Sequence, residues 1–152
     1  TALTALTACT TLSAEPLSSS ASVTQIKYVV YDGGGRVDLR LLEVVSLVKI
    51  GTQVKIRGGC WSACTMYLKL LETDQLCAYP SASFHFHAPY HMIDGEKVLA
   101  NATYQQWMLQ QYPSKIHMIL ASMGGLTAEW IHMAGPRWLE ELEIPSCTTK
   151  GF

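Results

Sequence analysis

The spacing of apolar and polar positions changes several times along this chain, and each change marks an element. Val23 to Tyr31 is β-rich and mostly apolar near its end, the pattern of a buried strand in a parallel sheet. Asp32-Gly33-Gly34-Gly35 ends it. Val37 to Ile50 is strongly apolar, with Leu39, Leu42 and Val45 on one side and Leu41, Val44 and Val48 on another. This predicts a buried crossover helix closed by Gly51. Gln53 to Arg57 alternates and predicts a second strand. Strand, helix and strand joined this way imply a right-handed parallel unit. In such sheets ligands bind beyond the C-terminal strand ends.

The rest of the chain reads less regularly. Ala63 to Leu71 is an apolar helical run, Gln75 to Tyr79 a short strand, and Ser83 to His87 another strand after the Pro80-Ser81 turn. Tyr90 to Lys97 reads as a polar loop containing Asp94-Gly95. Val98 to Tyr112 reads as a helix interrupted by Pro113. Ser114 caps a second helix through Met123, which stops at Gly124-Gly125. Thr127 caps a third short helix, Ala128 to Ala134. Gly135-Pro136 opens a last one, Arg137 to Glu143. Trp107, Met118, Trp130 and Trp138 in this part read as core or oligomer surface.

Composition narrows the class. The chain has 152 residues, 49% hydrophobic and 15% charged, which suits one domain with a real core and excludes global disorder. Net charge is −1, with no basic run interleaved with aromatics, so nucleic acid is not an expected partner. No apolar run is long enough for a membrane span. No Walker loop or dinucleotide fingerprint is present, and no cofactor or metal is expected.

The chemistry concentrates in Gly58-Gly59-Cys60-Trp61-Ser62-Ala63-Cys64-Thr65-Met66, between a strand and a helix. This arrangement aims the Ser62 hydroxyl from a strand end, beside unpaired amides and the positive end of a helix dipole. Ser62 is therefore either a nucleophile, if a base reaches it, or simply the cap of its helix. Phe84-His85-Phe86-His87-Ala88-Pro89 delivers two histidines on one side of a strand. Each could equally be a core histidine bonded to backbone.

Thr1 to Ser13 is uncharged and small, then Ala14-Glu15-Pro16 and a serine-rich linker to Ser22 follow. Residues 1–22 read as the end of a secretory signal peptide plus linker, and residues 23–152 as the domain. Leu12-Ser13-Ala14 offers a signal-peptidase site. Leu6-Thr7-Ala8-Cys9 resembles a lipobox, which makes Cys9 a lipidation candidate. The remaining cysteines, Cys60, Cys64, Cys77 and Cys147, suggest two disulfides in an exported, periplasmic or envelope-associated protein, with three connectivities open. A bridge from the serine turn to the Cys77 strand would hold the hydroxyl in place. A zinc site of Cys60, Cys64 and Cys77 with His85 or His87 matches no common zinc spacing. A redox dithiol is poorly matched because Cys60 and Cys64 do not form Cys-x-x-Cys.

The order of glycine pair, serine at a helix start, and histidine before proline resembles the Clp protease proteolytic subunit and the wider Clp/crotonase superfamily. Gly34-Gly35 stands for that family's Ser-Pro-Gly-Gly turn, Ser62 for its nucleophile, and His87 for the histidine of its His-Gln-Pro. The interval from Ser62 to His87 is the one the Clp subunit uses. The chain is also similar to small secreted bacterial members carrying Cys-x-Ser-Ala-Cys-Thr. The resemblance spans roughly Ile26 to Cys147. It implies an α/β fold: a Clp/crotonase-like spiral of strand-helix units around a small, mainly parallel sheet, with a helical C-terminal part.

Function follows as an expectation. The resemblance implies an exported serine hydrolase acting on peptide or protein substrates, with Ser62 and His87 catalytic and the Gly34 and Ala63 amides as oxyanion hole. Pro136 stands where the family places its third residue, an aspartate, in Gly135-Pro136-Arg137-Trp138-Leu139. Glu140 is the candidate substitute, with Glu141 and Glu129 behind it, or the site is a dyad. The family's strand-helix-strand portion before the glycine turn has no counterpart here, so its ring assembly does not carry over, though a homo-oligomer stays open. The alternatives are an inactive envelope protein of the same fold that binds or assembles, and acyl-CoA chemistry of the crotonase type.

Overall fold

The computed structural model describes residues 25–147. The Cys9 lipidation candidate and the signal-peptide reading lie outside them. The fold is mixed α/β with a mostly parallel sheet. Its elements are β1 (Gln25–Asp32), α1 (Val37–Ile50), β2 (Thr52–Trp61), a 3-10 helix (Ser62–Thr73), β3 (Leu76–Ala78), β4 (Ser83–Phe86), β5 (Tyr90–Ile93), β6 (Glu96–Leu99), α2 (Ala102–Leu109), α3 (Ser114–Ser122), β7 (Ile131–Ala134) and α4 (Pro136–Glu141).

Strand β2 is the axis. β1 lies parallel to it along one edge. On the other edge β3 pairs with its first half, Val54 to Ile56, and β4 with its last residues, Gly59 to Trp61, both parallel. β7 closes the sheet antiparallel to β4. The first half of β2 is buried on both faces, as a central parallel strand should be.

The strand also continues through Gly58 and Gly59, where the sequence reading placed a turn. A Cβ at Gly58 would lie 2.1 Å from the Val30 carbonyl oxygen. The glycine admits this close approach, beside a register shift between Val29 and Tyr31 of β1. The effect is to carry the strand four residues further and put Ser62 at its tip.

The core is one cluster. The 3-10 helix contributes Met66, Tyr67, Leu68 and Leu70, the sheet Val54, Ile56, Phe84, Phe86 and Met133, and α3 Ile116 and Leu120. α1 packs through Val44 and Leu47 and ends at Gly51, whose left-handed backbone (φ 71°) caps the Leu47 and Val48 carbonyls. Its other side does not pack: Leu39, Leu42 and Val45 are more than half exposed. The buried crossover helix is therefore only half buried. β1 is likewise an edge strand and not an enclosed one, with Val29 inside and Tyr28, Val30 and Tyr31 exposed.

Three other expectations are corrected. Tyr90 to Lys97 is mostly a β-hairpin, β5 with β6, around Asp94 (φ 50°) and Gly95 (φ 83°). Two consecutive left-handed residues are what an Asp-Gly hairpin turn provides. Val98 and Leu99 belong to β6, and the helix starts only at Ala102, where the Asn101 side chain accepts from the Tyr104 amide at 2.9 Å. Ala128 to Ala134 is not a helix: Ile131 to Ala134 is β7. Its Met133 is buried and His132 exposed, an alternation of period two that satisfies the free edge of β4. The C-terminal part is thus helical with one strand inserted.

Two disulfides form, Cys60–Cys64 and Cys77–Cys147. The serine turn is not bridged to the Cys77 strand, because Cys60 and Cys64 meet each other across the turn. Cys77 instead binds the C-terminal segment, which runs beside β3: Ala78 donates to the Pro145 carbonyl (2.9 Å) and Cys147 donates to the Ala78 carbonyl (3.1 Å). With all four sulfurs paired, the zinc reading loses its thiolates. Among the described residues no helix is long and apolar enough to cross a membrane.

Candidate active site

Ser62 sits where β2 becomes the 3-10 helix. Trp61 is still extended (φ −108°, ψ 141°), and Ser62 turns the chain with φ 54°. A left-handed non-glycine residue costs about 1–3 kcal/mol and persists only where its surroundings over-determine it. They do so here. Gly34 lies against it, and the Thr65 hydroxyl donates to the Ser62 carbonyl at 2.6 Å. Thr65 in turn bonds the buried Tyr112 hydroxyl at 2.7 Å, which ties the turn to the segment between α2 and α3. Burial pushes the Tyr112 hydroxyl up, so it stays a neutral partner.

His87 follows the last residue of β4. Its flank is fixed by backbone: Ala88 donates to the Thr127 carbonyl (2.6 Å), and the Pro89 carbonyl accepts from Ala100 (2.9 Å). This leaves His87 Nε2 2.8 Å from Ser62 Oγ. With the serine hydroxyl as donor, the ring proton resides on Nδ1. Burial holds the imidazole below its ordinary value, a backbone hydrogen bond with Ala88 opposes that, and the Lys97 charge adds to the lowering. A neutral His87 at pH 7 is the form that can accept a proton.

The ring is walled by aromatics. Trp130 lies 4.2 Å away between centroids and Tyr90 5.6 Å. Lys97 stands over Tyr90. Trp130 is therefore part of the site's wall while remaining substantially exposed. No periodic or motif signal marked it, because it reaches His87 only through the β4–β7 pairing.

His85 does something else. Its ring stacks on Trp61 (3.6 Å, 12° between planes), its Nε2 meets Ser83 Oγ (2.9 Å), and its Nδ1 meets His132 Nδ1 (2.6 Å) across the β4–β7 ladder. It does not touch Ser62.

Of the oxyanion candidates, Ala63 is the second residue of the 3-10 helix, where an N–H has no helical partner. Gly34 comes equally close, but its N–H donates to Asp32 Oδ1 at 2.9 Å. Asp32 is held in turn by Arg40 at 2.7 Å. Arg40 also binds Glu43 (2.8 Å) and the Tyr67 hydroxyl, and Tyr67 donates to Glu43 (2.8 Å). The glycine turn is thus wired to the buried side of α1.

Glu140 forms no hydrogen bond or ion pair with His87. Ala134 of β7 pairs with Ser83, so α4 departs from the opposite end of β4. Glu141 shares that placement. Glu129 precedes β7 on the His87 side but is exposed and forms no hydrogen bond or ion pair with the imidazole. Pro136 opens α4, where a proline fits because no helical N–H is required. Among the described residues, no side chain other than Ser62 hydrogen-bonds the His87 ring. Compared with known proteins, the chain matches no family model and no curated protein.

Proposed function

We propose that this protein is an exported serine hydrolase, a peptidase of Clp-like mechanism on a Clp/crotonase-like spiral, in which Ser62 and His87 act as a dyad. The observation that carries the reading is the 2.8 Å contact between His87 Nε2 and Ser62 Oγ, made by a serine in left-handed conformation at a strand-to-helix turn. A serine that only capped its helix would not need a buried imidazole on its hydroxyl. The two disulfides fit an oxidising compartment.

Ser62 Oγ attacks the scissile carbonyl carbon while its proton passes to His87 Nε2. Negative charge on the carbonyl oxygen meets the Ala63 amide, with the helix dipole behind it. His87 gives the proton to the leaving amine, and the acyl group stays on Ser62. His87 then takes a proton from a water whose oxygen bonds to the acyl carbon, the carbon–Oγ bond breaks to release the acid, and His87 returns its proton to Ser62 Oγ. No carboxylate bonds the imidazole among the described residues, and Pro136 stands where the resemblance places an aspartate. An imidazolium without a carboxylate partner is less stabilised, so the enzyme should be slow.

A second reading is an envelope protein of the same fold that binds without turnover. It is favoured by the absence of a carboxylate on His87 among the described residues and by the engagement of the Gly34 amide with Asp32. Hydrolysis of a panel of peptide and ester substrates, by wild type and by Ser62→Ala, separates the two. Turnover abolished in a folded Ser62→Ala protein supports the enzyme; equal rates in both overturn it.

A further inference from the structure

We propose that the Cys60–Cys64 disulfide is a positioning element for Ser62, so that the site assembles only once this pair is oxidised. The inference rests on the hydrolase reading and adds its regulation. The bridge brackets the serine symmetrically, two residues before it and two after. Cys60 belongs to the sheet, in register with Asp32 on one side and Phe84 on the other. Cys64 belongs to the 3-10 helix. Both are fully buried. The bond therefore ties the last rigid point before the turn to the first rigid point after it.

Between these points the chain passes from strand to helix in three residues, and Ser62 takes the left-handed backbone that an L residue avoids. The Thr65 hydroxyl and the Gly34 approach hold the turn from outside. The disulfide holds it from within. Without the bridge, only the Thr65 and Gly34 contacts oppose relaxation of Ser62 toward a right-handed backbone, a change that swings Oγ away from His87. A displacement of about 1 Å at a reacting atom lowers rates by about 10²-fold.

The other disulfide is the natural control. Cys77–Cys147 spans 70 positions and Cys60–Cys64 spans 4. A long closed loop restricts the unfolded chain more, so the remote bridge should matter more for stability and the local one more for the site. The oxidation balances with any small disulfide as oxidant. The Cys60 and Cys64 sulfurs lose two electrons and two protons and join. The oxidant's sulfur–sulfur bond takes both electrons and both protons and leaves as two thiols. Complete burial shields the finished bridge from soluble reductants, so control acts as the chain folds.

The test compares oxidised wild type, Cys60→Ala/Cys64→Ala and Cys77→Ala/Cys147→Ala, well below each melting temperature. A fluorophosphonate probe reports Ser62 reactivity. The C–H resonances of the His87 ring, followed by NMR against pH, report the hydrogen bond without needing activity. The expected result is a labelling rate lower by about 10²-fold and a shifted His87 titration in the first variant. The second variant loses more melting temperature but keeps both signals. Wild-type labelling and titration in Cys60→Ala/Cys64→Ala overturn the proposal. If that variant does not fold, Cys60→Val/Cys64→Ala fills the buried space and is read the same way. If wild type itself takes no label, the hydrolase reading fails, and the His87 titration alone decides whether the bridge positions Ser62.

Discussion

A methyl group placed on Gly34 would have its carbon 2.7 Å from the Cβ of Ser62 and 3.0 Å from the Ala63 amide nitrogen. The glycine turn and the serine turn come from different strands and touch here without side-chain space between them. Gly34 also has φ 98°, which an L residue rarely adopts. Gly34→Ala should therefore cost about 2–4 kcal/mol and abolish Ser62 reactivity together. Gly33→Ala, where the nearest atoms are 3.9 Å away, should leave stability within about 0.5 kcal/mol. Thermal unfolding of the two variants checks this; equal losses would contradict the contact.

The pH dependence has a definite sign. His85 and His87 are both held below their ordinary value of 6.5, chiefly by burial. A depressed histidine supports the fold above its unfolded value and withdraws that support as pH falls through the folded one. The contribution of the two histidines to stability should therefore be constant well above pH 6.5 and decline below it, and reactivity of Ser62 should fall on the same acid side as His87 charges. Lys97→Met removes a charge that lowers His87. Its acid limb should move to higher pH, as a pH series of labelling rates would record.

Thr65 and Tyr112 offer a graded test of the layer behind the serine. Tyr112→Phe removes a buried hydroxyl bond but leaves Thr65 donating to the Ser62 carbonyl. It should lower stability by about 1 kcal/mol and leave reactivity within tenfold. Thr65→Val removes the bond to Ser62 itself and should lower both more. Chemical denaturation paired with labelling rates distinguishes the two variants.

The sequence made parts of this arrangement legible and hid others for identifiable reasons. Ser62 stands out as a hydroxyl at a strand-to-helix turn, which is a local pattern, whereas His87 is distinguished from His85 only by the interval from Ser62 that the Clp resemblance supplies. The first parallel unit was readable because Val37 to Ile50 is long and ends in glycine. Asp94-Gly95 reads as part of a polar loop, and the four-residue strands flanking it are exposed throughout, so no buried face marks them as strands. β7 is four residues long, too short for a period to emerge, and its pairing with β4 is what brings Trp130 to His87 and His132 to His85. Cysteine pairing depends on distances that only the fold sets. The engagement of the Gly34 amide by Asp32 is likewise tertiary, because Arg40 on α1 holds the carboxylate in place.

The most direct measurement is fluorophosphonate labelling of the oxidised, folded protein, with peptide mapping of the modified residue and His87→Ala alongside. Such a probe reacts with a serine that a base activates. The account predicts one label, on Ser62, lost in His87→Ala while the fold persists. An unlabelled Ser62 in correctly folded wild-type protein, or a label that survives His87→Ala undiminished, would contradict it.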